Sequence, residues 1–404
     1  MGSATMPTRI KKVPATANEA SVPYLRPYDV FEYLPPESDR VSRDRTKNID
    51  HYLIRPNDIL QTRSGRNLGP VTLADDYLAR FAVSDDMIRI RIHDEPQRLY
   101  TFAFLRSVTG QRVLRGDLGG SVISHISPEQ VGAIGIPFVE ELLDQVVGPV
   151  RRALGLRASA RSLLHSTVSQ VNARFPVPDH DRARGWTTRT AALSDRLDAA
   201  FHSKSVIEAK ALLRQGARMG DLAEIVKPSG RHKMVYVDRA HGTPFLSGRQ
   251  ILQSDVVAPK YLSPFSAQSA GGFNLVRDTI VFQADGRAGE GLGYPAMITS
   301  DREGWLASGH VGRLIPRSPR DVGWLWAAMA SDIVQTQIAA LSCGSVVDAL
   351  YPEDLKEVLL PPCDAVRFST VTTAWEHMAE ASRLLDQASA IIDSALDDSR
   401  DLSV

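Results

Sequence analysis

The chain of 404 residues is written twice. Pro23-Tyr24-Leu25 recurs as Pro244-Phe245-Leu246, and Gly65-Arg66 recurs as Gly286-Arg287, each 221 positions on. After a three-residue insertion the spacing becomes 224, relating Gln111 to Gln335, Gly120-Ser121-Val122 to Gly344-Ser345-Val346, Pro128-Glu129 to Pro352-Glu353 and Pro137 to Pro361. A spacing held this long means two copies of a whole domain rather than the short units of a solenoid. Two similar but divergent heads are expected to bind two similar but different things.

Within each copy the first part reads as short strands broken by turn residues. Ile54 to Leu60 and the alternating Met87 to Ile92 are the clearest strands of the first copy, and Leu275 to Phe282 is the counterpart of the former. Each head then passes through a helical stretch, Tyr100 to Val108 or Trp324 to Gln337, then a Gly-Ser turn and a short segment ending at Pro137 or Pro361. Pro128 and Pro352 suit the first turn of a helix.

A long helical pattern of about 35 residues follows each closing proline, roughly 50 Å if continuous. In the second, Val371, Ala374, Met378, Ala381, Leu385, Ala388, Ile392 and Ala395 alternate steps of three and four, the seam of a coiled coil. The first holds the same register with Val147, Val150, Leu154, Arg157, Arg161, Leu164, Val168 and Val171, and Gly148-Pro149 and Gly155 predict a kink near its start. Residues 138 to 175 carry five arginines against three acids, and 364 to 404 carry three against eight. The two helices are therefore expected to pair with each other, antiparallel, with one head at each end.

Composition narrows the function. Forty-seven basic residues balance forty-seven acidic ones, so affinity for a polyanion would have to come from local clusters. Two cysteines, Cys343 and Cys363, make no disulfide framework, which fits a reducing cytoplasm. No apolar run reaches the roughly 20 residues that span a bilayer. The N-terminus is no signal peptide, and its opening Met-Gly-Ser-Ala-Thr-Met has the look of an expression scar. Pro176 to Gly185 is a linker by composition, and residues 190 to 227 form an entry to the second head. No equivalent precedes the first head, whose matching segment begins almost at residue 7, so about 35 residues are expected to be wanting there or supplied from elsewhere.

Catalytic constellations are sparse. Asp198 with Glu208 and Lys210 matches the acid and acid-x-Lys pattern of metal-dependent nucleases, although residues 203 to 214 read as an amphipathic helix with those charges on its wet side. The Gly-rich turns near Gly286, Gly289 and Gly291 lack both the Gly-Lys-Ser/Thr ending and the βαβ frame of a phosphate loop. The proline pairs at 35 to 36 and 361 to 362 lack the flanking residues with which an adenine methyltransferase grips its base.

Polar and basic residues at turns remain. Arg63, Ser64, Arg66 and Asn67 follow the strand ending at Leu60, and Arg287 stands at the same place in the second head. The segments around Arg26 and around Arg249 and Gln250 match each other, and Lys227, Arg231 and Lys233 make a basic stretch. Glycine lets the backbone approach a ligand, and arginine grips phosphate or a guanine edge. One charged loop residue is ordinarily just solvated; recurrence at a shared position with altered residues suits one docking mode reading two sequences.

In this pattern the chain resembles the specificity (S) subunits of Type I restriction-modification systems over nearly its whole length. The residues that carry the resemblance are Pro23 to Val30 (PYLRPYDV), Ile54 to Gly65 (IRPNDILQTRSG), Gly119 to Ile126 (GGSVISHI), Ile136-Pro137, and Arg196 to Asp198 leading into Met219 to Leu222. The resemblance implies an α+β fold of two repeated β-rich target recognition domains, separated by two long conserved helices in an antiparallel coiled coil. Residues 1 to 137 would form the first such domain, 138 to 175 the central spacer helix, 176 to 362 the linker, entry segment and second domain, and 363 to 404 the distal helix. It further implies a non-catalytic subunit that reads a split sequence in double-stranded DNA. The helices would act as ruler and dock for methyltransferase (M) subunits, and through them for restriction (R) subunits. S-adenosylmethionine, ATP and Mg would then belong to the partners, with no cofactor in this chain and no membrane contact. Rival readings are a DNA-recognition subunit of another phage-defence or modification complex, a metal-dependent nuclease, and a coiled-coil scaffold whose heads bind protein.

Overall fold

A computed structural model describes residues 2–9, 11–16, 18–64, 68–116, 125–177, 186–188, 190, 193, 196–229, 233–269, 271–287, 290–342, 347–362 and 365–401. In chain order the first copy contains β1 (Gly2–Thr5), β2 (Ser21–Leu25), β3 (Arg40–Ser42), β4 (Ile59–Thr62), β5 (Val71–Leu73), β6 (Ala82–Val83), β7 (Met87–Ile92), α1 (Glu95–Arg106), α2 (Val108–Gly116) and α3 (Pro128–Gly132). The long helix α4 (Leu143–Arg174) follows. The second copy contains α5 (Lys204–Leu212), α6 (Met219–Leu222), β8 (Ala223–Val226), β9 (Thr243–Leu246), β10 (Lys260–Leu262), α7 (Pro264–Ser269), β11 (Ile280–Gln283), β12 (Asp285–Gly286), β13 (Pro295–Met297), β14 (Leu306–Ala307), β15 (Val311–Pro316), α8 (Val322–Ala330), α9 (Asp332–Leu341), β16 (Asp348–Ala349) and α10 (Pro352–Lys356), and α11 (Ala365–Asp401) ends the chain.

The repeat holds down to strand register. The main sheet runs β1-β7-β4-β5 in the first copy and β8-β15-β11-β13 in the second. Gly2 faces Ile92 and Thr5 faces Arg89, just as Ala223 faces Pro316 and Val226 faces Arg313. A smaller sheet, β3-β2-β6 or β10-β9-β14, contains the parallel pairs Tyr24 with Ala82 and Phe245 with Leu306. Gln111 Nε2 donates to the carbonyls of Gly69 and Leu105, and Gln335 Nε2 donates to those of Gly293 and Met329, each acceptor 224 positions on. Such a half-buried amide bridge ties the bend between α1 and α2, or between α8 and α9, to a neighbouring loop, and it meets one carbonyl that a helix end leaves over.

Three expectations change. The strands expected at Ile54 to Leu60 and Leu275 to Phe282 start only at Ile59 and Ile280, because Asn57 (φ 68°) and Asp278 (φ 59°) take the left-handed conformation in the turns before them. That conformation suits Asn and Asp better than other side chains. The helical stretches extend further than predicted and break at Ser107 and Ser331. Gly2–Thr5 is a strand of the main sheet, so the opening residues are structural, and the match between the copies begins at Gly2.

The chain divides into two compact units: Met1–Arg161 with Gln253–Ala258 and His377–Val404, and Ser162–Leu252 with Pro259–Glu376. In the first, the opening half of α4 packs against the closing half of α11, with Val147, Val150 and Ala153 in one core with Ala381, Leu385, Ala388 and Ile392. In the second, Leu164 and Val171 are buried in the remaining half of α4, as are Val371 and Ala374 in the opening half of α11, where Trp375 meets Trp326 edge to face. Opposite halves paired in the first unit are what antiparallel helices produce. α4 continues through Pro149 as one helix.

The seam's two arginines are buried rather than solvated. In the first unit both terminal nitrogens of Arg157 donate to the Asp255 carboxylate at 2.6 and 2.7 Å, and Arg106 donates to the same group at 2.6 Å. Arg161 donates to Asp75 at 2.8 Å and to the carbonyls of Tyr33 and Glu32. Burial raises the pKa of Asp255, but the two guanidiniums outweigh it and hold the carboxyl well below the usual carboxylate range.

Candidate nucleic-acid interface

In the second unit, the corner between β11 and β12 gathers the polar side chains that the repeat points to. Lys227, one residue past β8, donates from Nζ to Asp285 Oδ1 at 2.7 Å, and His310, just before β15, brings Nδ1 to 2.8 Å from Asp285 Oδ2. Asp285 is thus shared by a lysine and an imidazole, and Lys227 also lies over the Tyr351 ring, 5.5 Å from its centroid. Gln283 donates to the Asp285 carbonyl at 2.9 Å. A Cβ at Gly286 would come within 2.2 Å of the Gln283 amide, and one at Gly248 within 3.1 Å of its side chain. The Ser247-Gly248 turn and the Asp285-Gly286 turn thus close on one glutamine, and a side chain at either glycine would have to push the Gln283 side chain aside. Gln250 completes the first turn by accepting from Ser247 at 2.9 Å, and Arg249 beside it is half-buried. Arg287 points outward with a side chain 75% exposed, 3.8 Å from Glu290.

The first unit builds the same corner with other residues. Ser64 occupies the place of Asp285, Asp86 that of His310, and the Ser64 hydroxyl donates to Asp86 Oδ1 at 3.1 Å. The backbone around them is unchanged: Arg63 N–H donates to the Asp86 carbonyl as Ala284 N–H does to that of His310, and Ser64 bridges His125 as Asp285 pairs with Ala349. Arg63 is half-buried, and its Nε has no hydrogen-bond partner among the described residues.

The remaining residues predicted from sequence scatter. Arg26 pairs with Asp39 at 3.2 Å on the surface of the first unit. Lys233 is exposed, with its carbonyl held by Ser266, beside the exposed Met234, Val235 and Tyr236. Arg66, Asn67 and Arg231 lie outside the described residues. Sequence reading missed Asp86, Asp285 and His310, although the repeat alone carries the signal, since the first and last of these stand 224 positions apart.

The nuclease pattern does not assemble. Asp198 accepts from Arg196 and from the Phe201 N–H, Glu208 faces Lys204 at 3.8 Å, and Lys210 lies over the Phe201 ring. Burial lowers the Lys210 pKa, and the Arg196 contact helps keep the Asp198 carboxyl low against its own desolvation. Among the described residues no group of three His, Cys, Asp or Glu is placed to hold a metal ion. No helix among them is long and apolar enough to cross a membrane.

No protein-family model matches the chain, and no curated protein does. Among solved structures it is similar to the Type I restriction-modification system S subunit from M. genitalium, at 14% identity and a TM-score of 0.28, over 100% of this chain and 94% of that one. It is similar to the HsdS subunit from Thermoanaerobacter tengcongensis at 15% identity and a TM-score of 0.31, over 98% and 96%. The type IIG restriction endonuclease BpuSI matches 48% of this chain with 33% of its own, at 10% identity and a TM-score of 0.34. Identities and TM-scores this low leave the functional reading to the duplicated residues themselves.

Proposed function

We propose that the chain is a non-catalytic DNA-recognition subunit whose two heads each read one half of a split site. One observation carries this: the same corner, in the same register, holds Ser64 and Asp86 in one head and Asp285 and His310 in the other. A constant backbone with altered polar side chains is what reading two different base sequences by one docking mode requires. With Nδ1 held by Asp285, His310 keeps Nε2 for a base edge in the major groove. Arg287 and Arg63 would supply phosphate or guanine contacts. The sequence resemblance to Type I S subunits extends the reading: M subunits dock on the paired helices, R subunits join through them, and S-adenosylmethionine, ATP and Mg serve those partners.

The test is co-purification with a neighbouring M subunit, followed by mapping of methylated adenines in DNA exposed to the complex. A split motif with a fixed spacer is expected. Ser64→Ala should relax one half of it and Asp285→Asn the other. No M subunit and no sequence-selective DNA binding would overturn the reading in favour of a scaffold.

A further inference from the structure

The two copies fold one surface alike and finish it with different side chains. In the second unit, Ser263 N–H donates to the Val235 carbonyl at 2.9 Å and Val237 N–H to that of Tyr261 at 3.0 Å. Ser266 Oγ accepts from the Val235 N–H and donates to the Lys233 carbonyl, both at 2.9 Å, which ties this segment to α7. The first unit repeats the backbone pattern: Ser42 N–H donates to the Val13 carbonyl at 2.8 Å and Ala15 N–H to that of Arg40 at 3.0 Å. Tyr236 bridges Leu262 as Pro14 bridges Val41. Met234 therefore stands where the first copy has Lys12, Tyr236 where it has Pro14, and Phe265 where it has Asp44.

The exchanged side chains face water. Phe265 is 68% exposed, Tyr236 47% and Met234 43%, and the Tyr236 hydroxyl donates to the Met234 sulfur at 3.2 Å. The patch has a firm backing, since Tyr236 stands edge-on to Phe245, which packs with Leu262, Phe273 and Leu306 in one small core. Lys260 Nζ lies 4.9 Å from the centre of the Tyr236 ring, and Lys233 is exposed beside it. Large apolar groups gathered on a surface mark a binding site, and charge indicates the ligand. Residues 233 to 241 and 260 to 268 carry three Lys or Arg against one acid, and the equivalent 11 to 19 and 39 to 47 carry six against three. This face is basic in both copies and suits a polyanion. In the first it is finished with ion pairs, Arg43 with Asp50 and Arg45 with Glu19, and in the second with aromatic rings.

We infer that Tyr236 and Phe265 form a stacking platform for DNA bases that the first head lacks, an inference that rests on the reading of the chain as a DNA-recognition subunit. Apolar side chains wedged at a base step unstack it and kink the duplex. An aromatic face then replaces the stacking that the bases lose. Lys233 and Lys260 hold the flanking phosphates, which carry the charge of the duplex. β9 joins the platform to the corner: Thr243 at its start pairs with Leu262, the bridge partner of Tyr236, and Gly248 just beyond its end lies against Gln283. Four residues of strand span roughly 13 Å, about four base pairs at the rise of the duplex. The platform thus acts beside the half-site that the second corner reads. The distortion is confined to that half, because Asp44 at the same place in the first head repels phosphate.

The test uses the full chain, with the M subunit where it co-purifies, and duplexes selected from a random pool for binding to it. Permanganate, which attacks thymines that have lost their stacking, is applied to selected duplexes carrying thymine at successive positions. Reactive thymines are expected beside the half-site whose preference Asp285→Asn relaxes, and not beside the other. Phe265→Ala and Tyr236→Ala should each weaken binding about tenfold and abolish that reactivity with the thermal midpoint unchanged, whereas Phe265→Trp, which keeps an aromatic face, should retain both. Lys260→Ala should lower the salt slope by about one while the thymines stay reactive. Alanine variants that bind as tightly as the unaltered chain, with its sequence preference intact, would overturn the platform, leave the split-site reading standing and give the patch to a protein partner. Absence of sequence-selective binding by the unaltered chain would overturn both.

Discussion

Asp285 Oδ2 and His310 Nδ1 meet at 2.8 Å in the second unit, at the place where the first unit joins Ser64 to Asp86. Each pair couples a residue two positions after a central strand to the residue just before its neighbour, so the side chains differ while the corner stays the same. If the corners read bases, their variants should act on separate half-sites. Ser64→Ala should relax preference in one half of the bound sequence and Asp285→Asn in the other, measured by selecting bound DNA from a random pool. Relaxation of both halves by either variant would refute the assignment.

Arg287 is exposed, 3.8 Å from Glu290, so its removal should leave folding alone. Arg287→Ala is expected to reduce the slope of log affinity against log salt by about one, as the loss of one phosphate contact does, with an unchanged thermal midpoint. An unchanged slope would place this residue off the DNA backbone.

Asp255 is the buried anion between Arg106 and Arg157. Asp255→Asn leaves two guanidiniums without their countercharge and should cost about 3–5 kcal/mol, read from urea unfolding of the first unit. Replacing all three by apolar residues of similar volume should recover most of the loss. The pH dependence has a definite sign. Because the folded pKa lies below the unfolded one, this contribution is complete above about pH 4 to 5 and fades as the pH falls further towards the folded value. The urea midpoint of the first unit should therefore hold from neutral pH down to that range and drop below it, and in the apolar triple variant this part of the drop should disappear.

Gly216→Ala should strain the entry segment of the second unit, since the added carbon would meet the Leu360 carbonyl, a backbone atom with little freedom to move. A loss of about 1–3 kcal/mol is expected. Faster hydrogen exchange at the Met219 amide, which donates to Val358, would locate the damage.

How much could be read beforehand varies with the kind of interaction. The duplication, the paired helices and the position of the candidate corner were legible, because spacing and periodicity are properties of the chain itself. The seam of α4 was legible as a pattern containing two arginines, but their burial was not: it depends on Asp255, 98 positions away, and on the carbonyls of Glu32 and Tyr33. The strand starts were misplaced because a single left-handed residue, Asn57 or Asp278, cuts a run of apolar character that otherwise reads as continuous.

By itself, then, the sequence determined that there are two heads of one design and two long amphipathic helices, since repeats and heptads are encoded locally and survive without tertiary context. Only the tertiary structure decided which polar groups meet. Asp86 and His310 join the candidate interface through strand pairing between positions more than twenty residues apart, because which side chains meet depends on what lies opposite a strand, not on the residues that form it.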